Sequence, residues 1–165
     1  MDRANKKYLD ISEMKKWNEY QDMYSSDKSD DDKTRRLIIY TEPVPKGRPR
    51  FTRQGHAYTP KETLRYESKI RTCWQLAHLG VITGDIKVRI DFYMPIPKSM
   101  SKADKQRAIE QELLPAKRPD IDNLAKSVLD ALNEVAYWDD NQIVKLRLNK
   151  WYATEPRVEI TIMEI

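Results

Sequence analysis

The chain has 165 residues, 34% of them charged, with 30 Lys or Arg against 26 Asp or Glu and a formal net charge of +4. Its one cysteine, Cys73, excludes an internal disulfide framework and a cysteine-built zinc cluster, and His56 and His78 share no metal-ligand spacing. No apolar run approaches a membrane span and the amino terminus lacks a signal peptide's apolar core, so a cytoplasmic protein of one domain's length, with no membrane partner, is expected.

Charge is unevenly distributed. Residues 1–34 carry seven Lys or Arg against nine Asp or Glu, net −2, which leaves +6 for residues 35–165. The first stretch reads as an extension: Ile11, Met14 and Trp17 recur at near-helical spacing, predicting a helix over Leu9 to Met23. SSDKSDDDK then reads as a flexible acidic linker. The expected organisation is therefore an amino-terminal helical extension and linker over 1–34, with no catalytic role, followed by a main domain over 35–165. The basic excess lies on the main domain, as a phosphate-rich partner requires.

Arg36 to Thr41 is β-rich and predicts the first strand. Pro43, Pro45 and Pro49 then interrupt regular structure, while Lys46, Arg48, Arg50 and Arg53 gather four cations around Gly47, where backbone and ligand can approach closely. Such side chains bridge phosphates, which makes these four candidate nucleic-acid-binding residues. Phe51 and Tyr58 are either stacking platforms or anchors on the core, and packing is the expectation. Thr59 and Pro60 predict a helix start, with the helix running to about Leu79 and closing at Gly80; Leu64, Ile70, Cys73, Trp74 and Ala77 form its buried side.

Asp85 to Met94 alternates Ile86, Val88, Ile90 and Phe92 with Lys87, Arg89 and Asp91, a strand with one wet face. Ser99 to Leu114 predicts a further helix capped by Ser101 and stopped by Pro115. After a third helix, Ile143 to Tyr152 and Arg157 to Ile165 predict strands, the last placing Val158, Ile160 and Ile162 on one face. The order strand, helix, strand, helix, helix, strand, strand predicts an α/β (α+β) domain, a two-layer sandwich of a mixed sheet with helices.

The third helix carries the chemistry. In KRPDIDNLAKSVLDALNEVAYWDDNQIVKL, Asp120 and Asp122 stand just ahead of an apolar stripe of Leu124, Val128, Ala131 and Val135, and Asp139 and Asp140 follow it. The helix is expected from about Asn123 to Asn133, with Asp122 as its N-cap. Lys126 falls on the side opposite the stripe, and the next strand is expected to carry Asp140 back toward the first two aspartates. Carboxylates with few other ligands suit Mg²⁺ or Mn²⁺, which can activate water and neutralise a phosphoryl oxygen, with Lys126 supporting the same charge. The competing reading is an ordinary cap with an Asp122–Lys126 ion pair.

RPDIDNLAKSVLDALN followed by YWDDNQIV resembles the signature of the RusA family of Holliday-junction resolvases. PVPKGRPRFTRQGHAYTPKETLRYE, Pro43 to Glu67, is similar to that family's basic amino-terminal element. The two motifs stand in the family's order, and the resemblance covers roughly Leu37 to Ile165. It implies a RusA-like fold and an active site of Asp120, Asp122, Asp140 and Lys126, the three aspartates holding Mg²⁺ or Mn²⁺. Lys117 and Arg118 join Lys46, Arg48, Arg50 and Arg53 as expected DNA contacts. A homodimer is also implied, since a four-way junction has two equivalent scissile sites. The expected activity is paired nicking of Holliday junctions in recombination and repair; the alternatives are a flap or fork nuclease and a non-catalytic DNA-binding module. Whether Asp139 or Asp130 joins the site is left open by the spacing.

Overall fold

A computed structural model describes residues 23–28 and 33–165. The expected helix over Leu9 to Met23 falls almost entirely outside these residues.

A five-stranded mixed sheet forms one layer. Its strands are β1 (Tyr24–Lys28), β2 (Thr34–Ile39), β5 (Ile86–Pro95), β6 (Ile143–Ala153) and β7 (Arg157–Glu164), in the order β1-β2-β7-β5-β6. Only β5 and β6 run parallel; the other neighbours are antiparallel. The helices among the described residues are α1 (Lys61–Leu76), α2 (Lys102–Ile109) and α3 (Ile121–Leu132). Arg50–Phe51 (β3) and Ala57–Tyr58 (β4) form a separate small hairpin.

The α+β sandwich expected from element order is the fold observed. Alternation in β5 puts Ile86, Val88, Ile90 and Phe92 wholly inside, and Val158, Ile160 and Ile162 of β7 join them. From the helices come Ile70, Cys73 and Trp74 of α1 and Leu124, Val128 and Leu132 of α3.

Several expectations about these elements are corrected. Tyr24–Lys28 pairs antiparallel with β2 as an edge strand, so this part of the acidic stretch is not a free linker. On α1, Leu64 is half exposed, and Thr63 and Tyr66 are buried instead. The helix begins at Lys61 with Pro60, not Thr59, at its cap, and it ends at Leu76. His78 and Gly80 then take positive φ, turning the chain away earlier than the apolar pattern implied. The Ser99–Leu114 helix is shorter, Lys102–Ile109, although Ser101 caps it as expected by accepting from the Asp104 amide.

Asp91, expected on a wet strand face, is only 4% exposed. It accepts from Arg89 Nε at 2.6 Å, Asn149 Nδ2 at 2.7 Å and Trp151 Nε1 at 3.2 Å. Burial raises its pKa, but these three donors and the Arg89 charge outweigh that and leave it below the usual carboxylate value.

Candidate active site

Helix α3 starts two residues earlier than its apolar stripe implied. Asp120, with extended backbone, is the N-cap residue, and Asp122 lies in the first turn. The Asp120 side chain makes no capping bond, and no ion pair forms between Asp122 and Lys126. The structural reading therefore keeps only Asp122 as a first-turn charge at the positive end of the helix. Asp120, Asp122 and Lys126 are all exposed, and none of their side chains makes a hydrogen bond or ion pair with another described residue. Two carboxylates and an ammonium, one turn of helix apart, face solvent uncommitted.

The approach to Asp120 is held by a residue that the sequence did not single out. Lys150 of β6 donates to the Lys117 carbonyl at 2.7 Å and to the Pro119 carbonyl at 2.9 Å. Its register partner Phe92 points into the core, so Lys150 lies on the helix-facing side of the sheet, beneath this turn. Spacing alone could not reveal the link, because 31 residues separate Pro119 from Lys150. The Lys117 and Arg118 side chains are exposed on the same turn.

The basic element divides into an anchor and a presented part. Lys46 turns inward, 2.6 Å from Glu67 Oε1 and 2.7 Å from Asp130 Oδ2, and its amide donates to the Asn123 carbonyl at 2.8 Å. Burial works against its charge, but the two carboxylates outweigh that and raise its pKa. Lys46 is thus a fastener between α1 and α3 rather than a free phosphate contact. Gly47 approaches protein, not a ligand: a Cβ there would meet Pro60 Cγ and Thr63 Oγ1, each at 2.8 Å.

Beyond this anchor the β3–β4 hairpin projects, closed by Thr52 N to His56 O at 2.9 Å. Arg48, Arg50 and Arg53 are exposed, and no acidic residue occurs between Pro43 and Lys61. Phe51, expected to pack, is 71% exposed, because its cross-strand partner is Ala57, too small to cover a ring. An open cleft of 530 Å³, lined by Val44, Gly47, Arg50, Pro60, Met94 and Pro119, joins the hairpin base to the turn before Asp120.

Asp139 and Asp140 are separated by function. Asp139 caps a 3-10 turn, Asp140–Gln142, accepting from the Asn141 amide at 2.8 Å, and the Gln142 side chain accepts from the Asp139 amide at 3.1 Å. The Asp140 side chain is exposed and makes no hydrogen bond or ion pair with another described residue. Asp130, bound to Lys46, is structural.

Asp140 does not return to Asp120 and Asp122 within this chain. Among the described residues no group of three or more His, Cys, Asp or Glu is placed to hold a metal ion. Gln142 donates to the carbonyls of Ile82 and Gly84, which places Asp140 at the start of β5, whereas Lys150 places Asp120 near its end. The buried Tyr137 donates to the Leu129 carbonyl at 2.8 Å, and its pKa is pushed up by burial first and then by the charges of Asp140 and Asp130. Asp140 thus belongs to the far end of α3.

Residues 41–163 match the family model described as endodeoxyribonuclease RusA. A Bacillus subtilis (strain 168) protein, the uncharacterized YqaN, is 38% identical over 136 residues, 79% of this chain and 96% of that protein. The crossover junction endodeoxyribonuclease RusA of Escherichia coli (strain K12) is 29% identical over 130 residues, 76% of this chain and 92% of that protein. Its counterpart from Enterobacteria phage 82 is 28% identical over the same length. With the two motifs in order on a mixed-sheet α+β domain and the family match spanning most of the sequence, the chain belongs to the RusA endodeoxyribonuclease family.

Proposed function

We propose that this protein is a metal-dependent, structure-selective endodeoxyribonuclease that resolves four-way DNA junctions by paired nicks, acting as a homodimer. The observation that carries it is the pair Asp120 and Asp122, exposed and uncommitted at the start of α3, beside an acid-free basic hairpin. A surface that only bound DNA would gain nothing from carboxylates next to phosphate.

The donor set suits Mg²⁺ or Mn²⁺, which use one or two carboxylates and fill their remaining positions with water and substrate phosphate. Asp120 and Asp122 would hold the ion. When bound it supplies charge neutralisation at a phosphoryl oxygen and a more acidic water. Lys126, one turn beyond Asp122, presents its ammonium to the non-bridging oxygens, where charge grows as the water oxygen bonds to phosphorus. The phosphorus–3′-oxygen bond breaks, the 3′-oxygen takes up a proton, and the products are 5′-phosphate and 3′-hydroxyl ends. Arg48, Arg50, Arg53, Lys117 and Arg118 contact the backbone of the arms.

The direct test is Asp122→Asn in single-turnover cleavage of an end-labelled mobile four-way junction with Mg²⁺. Cleavage should fall at least ~100-fold while junction affinity holds or rises, since the change removes a negative charge near phosphate. Undiminished cleavage by the variant would overturn the role given to Asp122.

A further inference from the structure

The two faces of β5 differ in chemistry. Val88 and Ile90 point into the core shared with α1 and α3, so Lys87, Arg89, Asp91 and Tyr93 line the other side of the sheet. Register extends that side into the neighbouring strands. On β6, Lys145 lies opposite Lys87 and Arg147 opposite Arg89. On β7, Glu159 lies opposite Asp91 and Arg157 opposite Tyr93. Arg36 of β2 and Asp27 of β1 stand in the same row as Arg89, reached through Thr161.

Each strand carboxylate on this face already has a cation. Asp27 takes Arg36 at 3.8 Å, Asp91 takes Arg89 at 2.6 Å and Glu159 takes Arg157 at 2.7 Å. Lys87, Lys145 and Arg147 are left over, exposed and without a partner among the described residues. Asp85, just before β5, forms no ion pair with any of them. The surplus is local, because all three lie in the first half of β5 and β6. With Arg89, whose side chain is 48% exposed, they make a block in which lysine faces lysine and arginine faces arginine. Like charges directly opposite one another destabilise a sheet, and no described acid offsets these three.

We infer that this block is a second DNA site, which holds the sugar–phosphate backbone of a junction arm away from the strand being cut. The inference rests on the resolvase reading for its ligand and adds a surface to it. Lys150, which supports the turn before Asp120, stands five residues beyond Lys145 on β6, roughly 17 Å along the strand, and faces the opposite side of the sheet. The block therefore does not share the phosphate at Asp120 and Asp122 and meets a different part of the substrate. A four-way junction supplies that part, because its arms leave the branch point in different directions. Their backbone is a row of fixed negative charge, one for about every 3.4 Å of each strand, and it offsets the repulsion within the block. Lysine and arginine bind it without reading bases, so the site adds affinity and orientation but no sequence preference. A second copy of this chain does not suit the block, since a two-fold contact centred there sets cation against cation.

The salt dependence of junction binding tests this with the full chain. Lys87→Gln, Lys145→Gln and Arg147→Gln are combined, and binding to a labelled four-way junction is measured without Mg²⁺ from about 50 to 200 mM salt. The slope of log affinity against log salt should fall by about 2–3, with affinity at least ~10-fold weaker at the low end. Single-turnover cleavage in Mg²⁺ at saturating protein should stay within about two-fold of wild type, because none of the three touches the acidic pair. A control chain loses three exposed cations elsewhere, through Arg71→Gln, Lys98→Gln and Lys102→Gln, and its slope should change by less than about one. An unchanged slope in the first variant, or an equal fall in both, would overturn the site. Thermal melting reads folding, and Tm at low salt should hold or rise as the like-charge pairs are removed. Should the combined variant melt early, Arg147→Gln alone is read, with an expected slope change of about one. A wild-type protein that binds junctions but never cuts them brings down the resolvase reading and leaves this site standing, because the slope is measured without cleavage. A cutting wild type with no slope change in the variant removes this site alone.

Discussion

Replacing Lys150 with methionine keeps the aliphatic stem and removes the ammonium that holds the turn before Asp120. Two hydrogen bonds are lost, at 2.7 Å to the Lys117 carbonyl and 2.9 Å to the Pro119 carbonyl. A bond with a charged donor contributes about 1.5–3 kcal/mol when well buried. Lys150 is half-buried and water can replace it at both carbonyls, so the pair together should contribute about 2 kcal/mol. For a chain of this size that is a fall in Tm of roughly 4–8 °C. The functional loss should be larger, because the released turn carries Asp120, and a displacement of about 1 Å at a reacting centre can cost on the order of 100-fold. Single-turnover cleavage across a Mg²⁺ titration should show a 10- to 100-fold slower plateau and a higher Mg²⁺ requirement, with junction affinity within about two-fold of wild type. Lys150→Arg, which still donates to both carbonyls, should recover most of the rate. A Lys150→Met protein with the wild-type rate and Mg²⁺ dependence would refute the positioning role, whatever its Tm.

Lys46 and Arg50 should respond in opposite ways. Lys46→Met leaves Glu67 and Asp130 without their cation and should cost about 2 kcal/mol, read as a lower Tm. Arg50→Ala should leave Tm unchanged but weaken junction binding and reduce the slope of log affinity against log salt by about one. Asp91 predicts a pH effect. Its folded pKa lies below the ordinary value of 3.8, so it stabilises the fold above that value, and the stabilisation disappears as pH falls through the folded pKa. Asp91→Asn should be less stable than wild type at pH 7, with the gap narrowing in chemical denaturation below about pH 4.

How much was legible in advance depended on the range of the interaction. The strand alternation of Ile86 to Phe92 and the apolar stripe of α3 were readable because burial imposes a period that neighbouring residues report. The helix starts two residues before its apolar stripe because Ile121, partly buried, belongs to the helix but not to the stripe. Phe51 lies outside the core for a different reason. An aromatic in a short segment looks the same whether or not something covers it, and here only Ala57 lies opposite. The strand at Tyr24–Lys28 is not legible in the sequence because its residues, Tyr-Ser-Ser-Asp-Lys, carry little β signal and pair only because β2 offers an edge.

The sequence by itself determined the acidic set, its order with the basic element, the mixed α+β architecture and the family, since all of these are carried by residue identity and local spacing. Tertiary structure alone decided which charges remain free. Lys46 became a fastener, Asp91 a buried acceptor, Asp139 a cap and Lys150 a support for the turn at Asp120, each through partners that spacing does not announce. It also decided that Asp120 and Asp140 lie at opposite ends of α3. A helix converts the residues between two motifs into a fixed length, and whether that length joins or separates them depends on the direction in which the following strand runs.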